Sequence, residues 1–272
     1  MLENEMIMVK QKEGISYLQF KKLLAYPEIT HMYVLKNGDM SFNVTQKTQE
    51  KLNQLERNYE SVCKLEHMDY HQVVRATQTH STNIACVKEK IQEGPELYLP
   101  EYDKTDGLLT DQKGIVLSTT NADCNLILLF DPKRHVIGNI HAGWRGTFQK
   151  IVLVAIEKMK AEYGSHPEDM IACMAPSIGQ CCFEVQEDVA KPCKELFGNH
   201  KRFKEIMTEE KNGKYHINTV LINQLLMEEA GIQSENIITS GICSKCNCQE
   251  IHSRRAEGEN YGVGTLLVSL QE

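Results

Sequence analysis

Short apolar runs along the chain alternate with longer stretches that have helical periodicity. Several runs are apolar throughout, as is typical of strands buried on both faces. The pattern predicts nine strands, at Met6–Val9, Met32–Leu35, Gln72–Ala76, Gly114–Thr119, Asn125–Phe130, His135–Ile140, Met170–Met174, Ile237–Gly241 and Gly264–Val268.

Three stretches between these runs predict helices. The clearest follows residue 146 and ends at Gly164, a residue suited to a helix C-terminus. A second begins at about Asn218, a good N-cap, and ends near Gly231, and a third spans Thr48–Val62. Strands and helices are interleaved without a strict repeat or a flexible linker, so we expect an α/β (α+β) fold. It would be one domain over residues 1–272, a layered sandwich with a mixed β-sheet flanked by helices.

Composition narrows the function classes. The 272 residues are 41% hydrophobic and carry a formal net charge of -7 with both signs mixed, which gives no footprint for nucleic acid or an anionic membrane. The first ten residues lack the basic and apolar pattern of a secretory signal, and no stretch is long enough to span a membrane. We therefore expect a cytoplasmic protein that acts on small molecules, and we interpret its ten cysteines as thiols or metal ligands. The oligomeric state is left open.

The densest group of unusual residues lies in residues 106–147. Two predicted strands flank Asp131-Pro132-Lys133-Arg134, and Asp followed by Pro suits a type I turn. If the hairpin is symmetric about the Pro132–Lys133 bond, Cys124 lies directly opposite His141. Opposite side chains are close enough to be two ligands of one ion or a thiol–imidazole pair.

Two further features accompany this hairpin. His80, just after the strand at Gln72–Ala76, is the candidate for a third ligand, although a histidine among polar residues is more often a loop residue. Gly143 and Gly146 surround Arg145 at a predicted helix start, where free backbone N–H groups suit an anion such as phosphate.

At these residues the sequence resembles the bacterial YfiH/YlmD-like family, known as laccase-domain or multicopper polyphenol oxidase proteins. Three motifs carry the resemblance: QTHSTNI at 78–84, TTNADC at 119–124 and HAGWRG at 141–146. APSIGQCCFEV at 175–185 and CSKCNCQEIHSRR at 243–255 add weaker support.

The resemblance implies one Zn²⁺ site held by His80, Cys124 and His141, with copper as the less favoured occupant. It implies phosphorolysis of adenosine, inosine and S-methyl-5'-thioadenosine, and deamination of adenosine to inosine, with nucleosides and phosphate as partners. The oxidase label fits poorly, because a multicopper centre needs many more closely spaced histidines.

Further roles follow from the site chemistry. With Cys124 at the metal, Asp123 would orient water or carry a proton, and Arg145 would bind phosphate. Arg254 and Arg255 are the alternates to Arg145 for binding phosphate. Gly146, Glu184 and Arg255 are weaker candidates for phosphate or substrate binding, with Glu184 as an acid–base group. Lys36 stands where the family has an arginine, which would offer charge without a bidentate fork.

Two other functions stay open at this point. Cys124 and His141 would also suit a metal-independent cysteine hydrolase, for example an amidase that acts on a peptidoglycan precursor. The chain could instead be a metal-binding protein without turnover. Near the C-terminus, Cys243, Cys246, Cys248 and His252 resemble half of a structural zinc motif, and we favour free or buried thiols there.

Overall fold

The computed structural model describes residues 2–43, 48–89, 102–210 and 213–271. Within these ranges the helices are α1 Gln49–Leu65, α2 Trp144–Phe148, α3 Ile151–Tyr163, α4 Glu187–Phe197, α5 Phe203–Ile206, α6 Thr219–Glu229 and α7 Arg254–Glu257. The strands are β1 Ile7–Lys12, β2 Ile15–Phe20, β3 Ile29–Val34, β4 Val73–Arg75, β5 Ile84–Cys86, β6 Gly107–Thr110, β7 Val116–Asn121, β8 Asn125–Asp131, β9 Val136–Ala142, β10 Ile171–Met174, β11 Glu184–Val185, β12 Met207–Glu209, β13 Tyr215–Ile217, β14 Ile237–Thr239 and β15 Gly264–Leu270.

Two six-stranded sheets form the centre of the molecule. The first sheet has the order β1-β2-β3-β15-β7-β4 and the second β14-β10-β8-β9-β6-β5. Both are mainly antiparallel. The first has one parallel pair, β4 with β7, and the second has two, β10 with β14 and β5 with β6. A three-stranded sheet, β11-β13-β12, lies beside them. The mixed α/β sandwich predicted from the sequence is confirmed.

Strand β8 explains the layering. All seven of its residues are buried, and successive side chains point to opposite faces. Leu126 and Leu128 belong to the core between the two sheets, whereas Ile127 and Leu129 pack in the core beneath α3, α4 and α6. Helix α1 covers the outer face of the first sheet. The order of layers is therefore helix, sheet, sheet, helix.

The nine predicted strands are all present, with bounds shifted by a few residues. Asn218 caps α6 by accepting a hydrogen bond from the backbone N–H of Leu221 at 2.9 Å, as predicted. The helix predicted after residue 146 ends at Gly164 as expected, but it begins only at Ile151, because Lys150 has a left-handed φ of 60° that separates it from α2. Helix α4, strand β2 and the short strands β5, β6 and β11–β13 were not predicted.

The predicted hairpin register is wrong by two residues. His141 pairs with Leu126, and Asp131 pairs with Val136 across a four-residue connection. Pro132 cannot adopt the positive φ that two-residue hairpin turns need, so the turn is longer and closes through His135 at φ 52°. Cys124 is consequently a diagonal neighbour of His141 on the same face of the hairpin, and the two side chains are still close enough to contact one another.

The helices in the described parts of the chain are too short or too polar to cross a lipid bilayer.

Candidate metal centre

Three chain segments cross between the two sheets at the same end of the sandwich. The first runs from β4 to β5 and carries His80, the second runs from β7 to β8 and carries Cys124, and the third runs from β14 to β15. His141 lies at the end of β9, beside them. The site is therefore assembled from crossover segments, which are free to present side chains that a regular ladder would direct elsewhere.

Asp106 organises the segment that carries His80. Its carboxylate is completely buried and accepts hydrogen bonds from three consecutive backbone N–H groups, those of Thr79, His80 and Ser81, at 3.1, 2.9 and 2.7 Å. The hydroxyl of Ser81 donates a fourth at 2.6 Å. These bonds hold His80 at a left-handed φ of 59°, which is unfavourable for a residue with a side chain unless its surroundings impose it.

The same carboxylate orients His141. Asp106 directly precedes β6 and lies opposite His141 across the β6–β9 ladder, where the His141 N–H donates to the Asp106 carbonyl at 2.7 Å. Nδ1 of His141 donates to the carboxylate at 2.8 Å. With Nδ1 engaged, Nε2 is the nitrogen left for a ligand, and a carboxylate behind a histidine is typical of metal-binding imidazoles.

Cys124 follows a sharply turned residue, Asp123, whose φ is 89°. The Asp123 carboxylate accepts hydrogen bonds from the hydroxyls of Ser244 and Ser253 at 2.6 and 2.7 Å. It accepts another from the backbone N–H of Arg255 at 2.8 Å. Its bonds tie Cys124 to the crossover between β14 and β15. These hydrogen bonds indicate that Asp123 positions Cys124. Its predicted roles in orienting water and in proton transfer stay predictions.

The three predicted ligands come together. One ligand atom from each of His80, Cys124 and His141 lies within 4.8 Å of the other two. Cys124 Sγ is 3.7 Å from His80 Nε2, close to the roughly 3.6 Å that tetrahedral zinc with ordinary Zn–N and Zn–S bonds would give. Gly143 makes the room, since a Cβ there would lie 2.3 Å from His80 Cδ2 and 3.3 Å from Cys124 Sγ.

Charges within the group favour a thiolate. Burial would raise the pKa of Cys124, but the charge and hydrogen bond of His141, with the contribution of His80, lower it to about 6. Burial would lower the pKa of His141, but the thiolate and Asp106 raise it to about 9. Burial would likewise raise the pKa of Asp106, and its hydrogen bonds from His141 and Ser81 lower it to about 2.

Two imidazole nitrogens and a thiolate form a donor set that suits zinc. His141 is buried, Cys124 is half-buried and His80 is exposed, so the group has an interior side and an open side. Three protein ligands with one open side are the arrangement of catalytic zinc sites, whereas structural sites are closed by four. The residues present therefore fit a metal with a free coordination position.

The open side faces a cleft of about 300 Å³. Besides the three candidate ligands it is lined by two arginines, Arg75 and Arg254, and by the ring of Tyr261. Arg75 is 7% exposed and donates to the Phe42 carbonyl at 3.1 Å, while Arg254 is exposed with its guanidinium 5.6 Å from the Tyr261 ring centroid. The volume and the two cations suit a small anionic or mixed polar ligand.

The lining of this cleft, as far as the described residues define it, contains neither Arg145, the predicted phosphate-binding residue, nor the weaker candidates Gly146, Glu184 and Arg255. Arg145 is exposed and stacks on Trp144 at 4.2 Å, and Gly146 packs against the backbone of the His80 segment. Glu184 accepts from Lys214 at 2.7 Å, and this hydrogen bond lowers the pKa of its carboxyl.

Arg255 donates from its side chain to the carbonyl of Glu184 at 2.8 Å. Binding roles for these four residues stay predictions. Lys36 forms an ion pair with Glu257 at 3.5 Å, on the segment that follows Arg255.

Sequence reasoning missed Asp106 and Arg75. Asp106 is followed by Gly107 and an apolar run, so it is read as an ordinary turn residue. Arg75 stands at the end of the apolar run QVVRA, and a charged residue there was the available signal. Neither position reveals its partners without the tertiary structure.

Comparison with known proteins finds a matching protein family and several curated relatives. Residues 31–271 match the family described as multi-copper polyphenol oxidoreductase laccase. A purine nucleoside phosphorylase of Bacteroides thetaiotaomicron is 29% identical over 252 residues, covering 90% of this chain and 93% of the relative. An adenosine deaminase named RL5, from an unknown prokaryotic organism, is 32% identical over 199 residues, covering 72% of this chain and 74% of the relative.

Solved structures share the fold. YfiH of Bacillus licheniformis superposes with a TM-score of 0.84 at 24% identity, over 97% of this chain and 99% of that one. YlmD of Geobacillus stearothermophilus gives a TM-score of 0.86 at 21% identity, over the same shares. The family match over residues 31–271 confirms the resemblance seen in the three sequence motifs, and the solved structures share the fold along nearly the whole chain.

Proposed function

Because the chain belongs to the family of multi-copper polyphenol oxidoreductase laccases, whose similar members include proteins named purine nucleoside phosphorylase and adenosine deaminase, we propose that it is a zinc-dependent purine nucleoside enzyme. It would cleave adenosine, inosine and S-methyl-5'-thioadenosine with phosphate and would also deaminate adenosine.

The observation that carries this proposal is the position of the three ligands at one side of a cleft that also contains two arginines. Zinc bound there would supply a Lewis acid beside the substrate. Blue-copper sites usually have a weak axial methionine, and no methionine lines the cleft among the described residues. The donor set thus favours zinc over redox chemistry.

The two arginines supply what phosphorolysis requires. The attacking phosphate is a polyanion, and arginine guanidinium groups bind it through charge-assisted hydrogen bonds. We assign this role to Arg75 and Arg254, in preference to Arg145, because they line the cleft beside the ligands. Phosphate forms the new bond at C1' of the ribose, and the purine leaves with the electrons of the glycosidic bond. The Tyr261 ring offers a surface on which the purine can stack.

Asp106 acts through the ligands. Its carboxylate keeps the Nδ1 proton of His141 in place and fixes the backbone of His80, so both imidazoles keep their orientation as substrate enters. Gly143 keeps Cys124 and His80 at a spacing that a side chain would disturb. These are positioning residues, and they touch no substrate.

Incubation of the zinc-loaded protein with adenosine, with and without phosphate, tests the proposal. Adenine that forms only with phosphate supports phosphorolysis, and inosine that forms in both conditions supports deamination. The Cys124→Ala variant should give neither product. Absence of both products from the wild-type protein would refute the assignment.

A cysteine hydrolase is the second candidate, and one observation favours it. Asp106, His141 and Cys124 are linked in series, with an imidazole of raised pKa beside a thiol of lowered pKa, as in enzymes that use a thiolate nucleophile. Its substrate would be an amide such as that of a peptidoglycan precursor.

Metal removal separates the two candidates. A nucleoside enzyme of the kind proposed should lose activity with a chelator and regain it with Zn²⁺. Full activity of metal-free protein, together with rapid alkylation of Cys124 by iodoacetamide and parallel inactivation, would favour the hydrolase.

A further inference from the structure

We propose that Cys181, Cys182, Cys243 and Cys246 form a second metal site, which binds one Zn²⁺ through four thiolates and fixes the segments that support Cys124. The four Sγ atoms lie within 4.8 Å of one another. The site is separate from the candidate catalytic ligands and shares no residue with them.

The sulfur spacing matches a tetrahedral ion. Four Zn–S bonds of about 2.3 Å place neighbouring sulfurs about 3.8 Å apart. Cys246 Sγ is 3.8 Å from Cys181 Sγ and 3.5 Å from Cys182 Sγ. A disulfide would need about 2.05 Å, and all four cysteines are free thiols. Four sulfurs in this arrangement suit a soft ion with four ligands.

The partners of Cys243 differ from those that the sequence suggested. In place of Cys248 and His252, the structure joins Cys243 and Cys246 to the adjacent pair that lies some sixty residues earlier. Nitrogens of the buried His252 ring lie 3.4 Å from the Glu257 carboxylate and 3.3 Å from the Met40 carbonyl. In the proposed site, Cys243 and Cys246 therefore take their partners from a different part of the chain.

Backbone groups around Cys243 suit a thiolate. The Gly179 N–H donates to Cys243 Sγ at 3.2 Å, and the Cys246 N–H is directed to the same sulfur. Hydrogen bonds from backbone N–H groups to sulfur are typical supports of metal-binding cysteines. Gly179 also leaves room, since a Cβ there would lie 3.3 Å from Cys181 Sγ and 3.5 Å from Cys243 Sγ.

The polarity of the surroundings is consistent with a charged complex. Zinc with four thiolates carries two net negative charges, and binding releases the thiol protons to solvent without any redox step. Arg255 donates to the Cys182 carbonyl at 3.4 Å, which brings a guanidinium beside the cluster. The exposed Lys245 lies in sequence between Cys243 and Cys246.

This site would connect two segments that meet at Asp123. The segment with Cys181 and Cys182 begins next to Ile178, whose N–H donates to the Asp123 carbonyl at 2.8 Å. The segment with Cys243 and Cys246 contains Ser244, whose hydroxyl donates to the Asp123 carboxylate at 2.6 Å. A metal that joins the two segments therefore holds the residue next to Cys124 from both sides.

Metal content tests the proposal directly. Protein purified under reducing conditions with Zn²⁺ should contain two equivalents of zinc by mass spectrometry. Cys124→Ala and Cys246→Ser should each contain one, and the double variant should contain none. Cys248→Ser is the matched control, because Cys248 lies in the same segment but outside the cluster, and it should retain two.

A second measurement needs no cluster variant and so does not depend on its folding. X-ray absorption at the zinc edge of the Cys124→Ala protein should give four sulfur neighbours at about 2.3 Å. The proposal is overturned if the wild-type protein holds one zinc that Cys124→Ala removes entirely. It is equally overturned if the remaining zinc has nitrogen or oxygen neighbours, or if thiol titration without reductant finds a disulfide in the cluster. None of these readouts depends on nucleoside turnover.

Discussion

Asp106 and His141 lie opposite each other where β6 and β9 pair, and Nδ1 of His141 donates to the Asp106 carboxylate at 2.8 Å. The same carboxylate binds the backbone N–H of His80 at 2.9 Å. One buried side chain therefore orients one candidate ligand through its ring and another through its backbone.

Asp106→Asn should weaken zinc binding roughly 10- to 100-fold, as loss of a carboxylate behind a metal-binding histidine generally does. The asparagine amide has only one acceptor oxygen, and its NH₂ group would face backbone N–H groups that need an acceptor. The segment that carries His80 should therefore be held less firmly. Competition with a chromophoric chelator measures the affinity. Asp111→Asn, at an exposed position just beyond β6, is the control. Unchanged zinc affinity in Asp106→Asn would contradict this role.

Gly143→Ala should abolish metal binding while it leaves the sheets intact, because the new Cβ would lie 2.3 Å from the His80 ring. The double variant with His80→Ala provides the control. Removal of the ring should relieve the clash, so Gly143→Ala should lower the thermal midpoint in the wild-type background and have little effect in the His80→Ala background. Equal losses in both backgrounds would show that the clash is not with His80.

Arg254→Ala should raise the KM for phosphate by about one to two orders of magnitude, the usual effect of losing a charge-assisted hydrogen bond of about 1.5–3 kcal/mol. Deamination of adenosine needs no phosphate and should continue. Arg145→Ala is the matched comparison, because Arg145 is the position that the sequence alone favours. If Arg145→Ala raises this KM and Arg254→Ala does not, our assignment of the phosphate site is wrong.

His31 makes stability depend on pH. The ring is buried, and its Nε2 accepts a hydrogen bond from the Phe20 backbone N–H at 2.8 Å. Burial lowers the pKa of the ring to about 3, while Glu66 raises it and Lys10 lowers it by smaller amounts. The unfolded chain binds a proton below about pH 6.5 and the folded chain does not, so the stabilisation is complete above that pH and is lost as the pH falls. The loss should be about 2 kcal/mol at pH 5.

Urea unfolding between pH 7.5 and 5 measures this loss. His31→Gln, whose side-chain oxygen can still accept a hydrogen bond, should flatten the pH dependence. His166→Gln, at an exposed position, should leave it unchanged. Parallel curves for wild type and His31→Gln would refute the role of His31.

Local pattern was sufficient for much of the fold. The strands β8 and β9 are apolar on both faces, so their sequence predicts burial between two layers, and the caps Asn218 and Gly164 mark their helix ends through contacts within a few residues. Several of the strands that were missed, such as β5 and β13, have three residues each and are too short to produce a period. They depend on neighbouring strands for their hydrogen bonds.

For the site, the sequence by itself determined the candidate ligands His80, Cys124 and His141. It also indicated two of the three crossover segments that surround them, since each of the three motifs is contiguous in the chain. The tertiary structure decided what lies behind them. Asp106 opposes His141 through a sheet register. Arg75 from β4 and Arg254 from α7 line one cleft, and Cys181 and Cys182 meet Cys243 and Cys246 across some sixty residues. Such contacts depend on how the two sheets pack and where the chain crosses between them, and no local period or spacing carries that information.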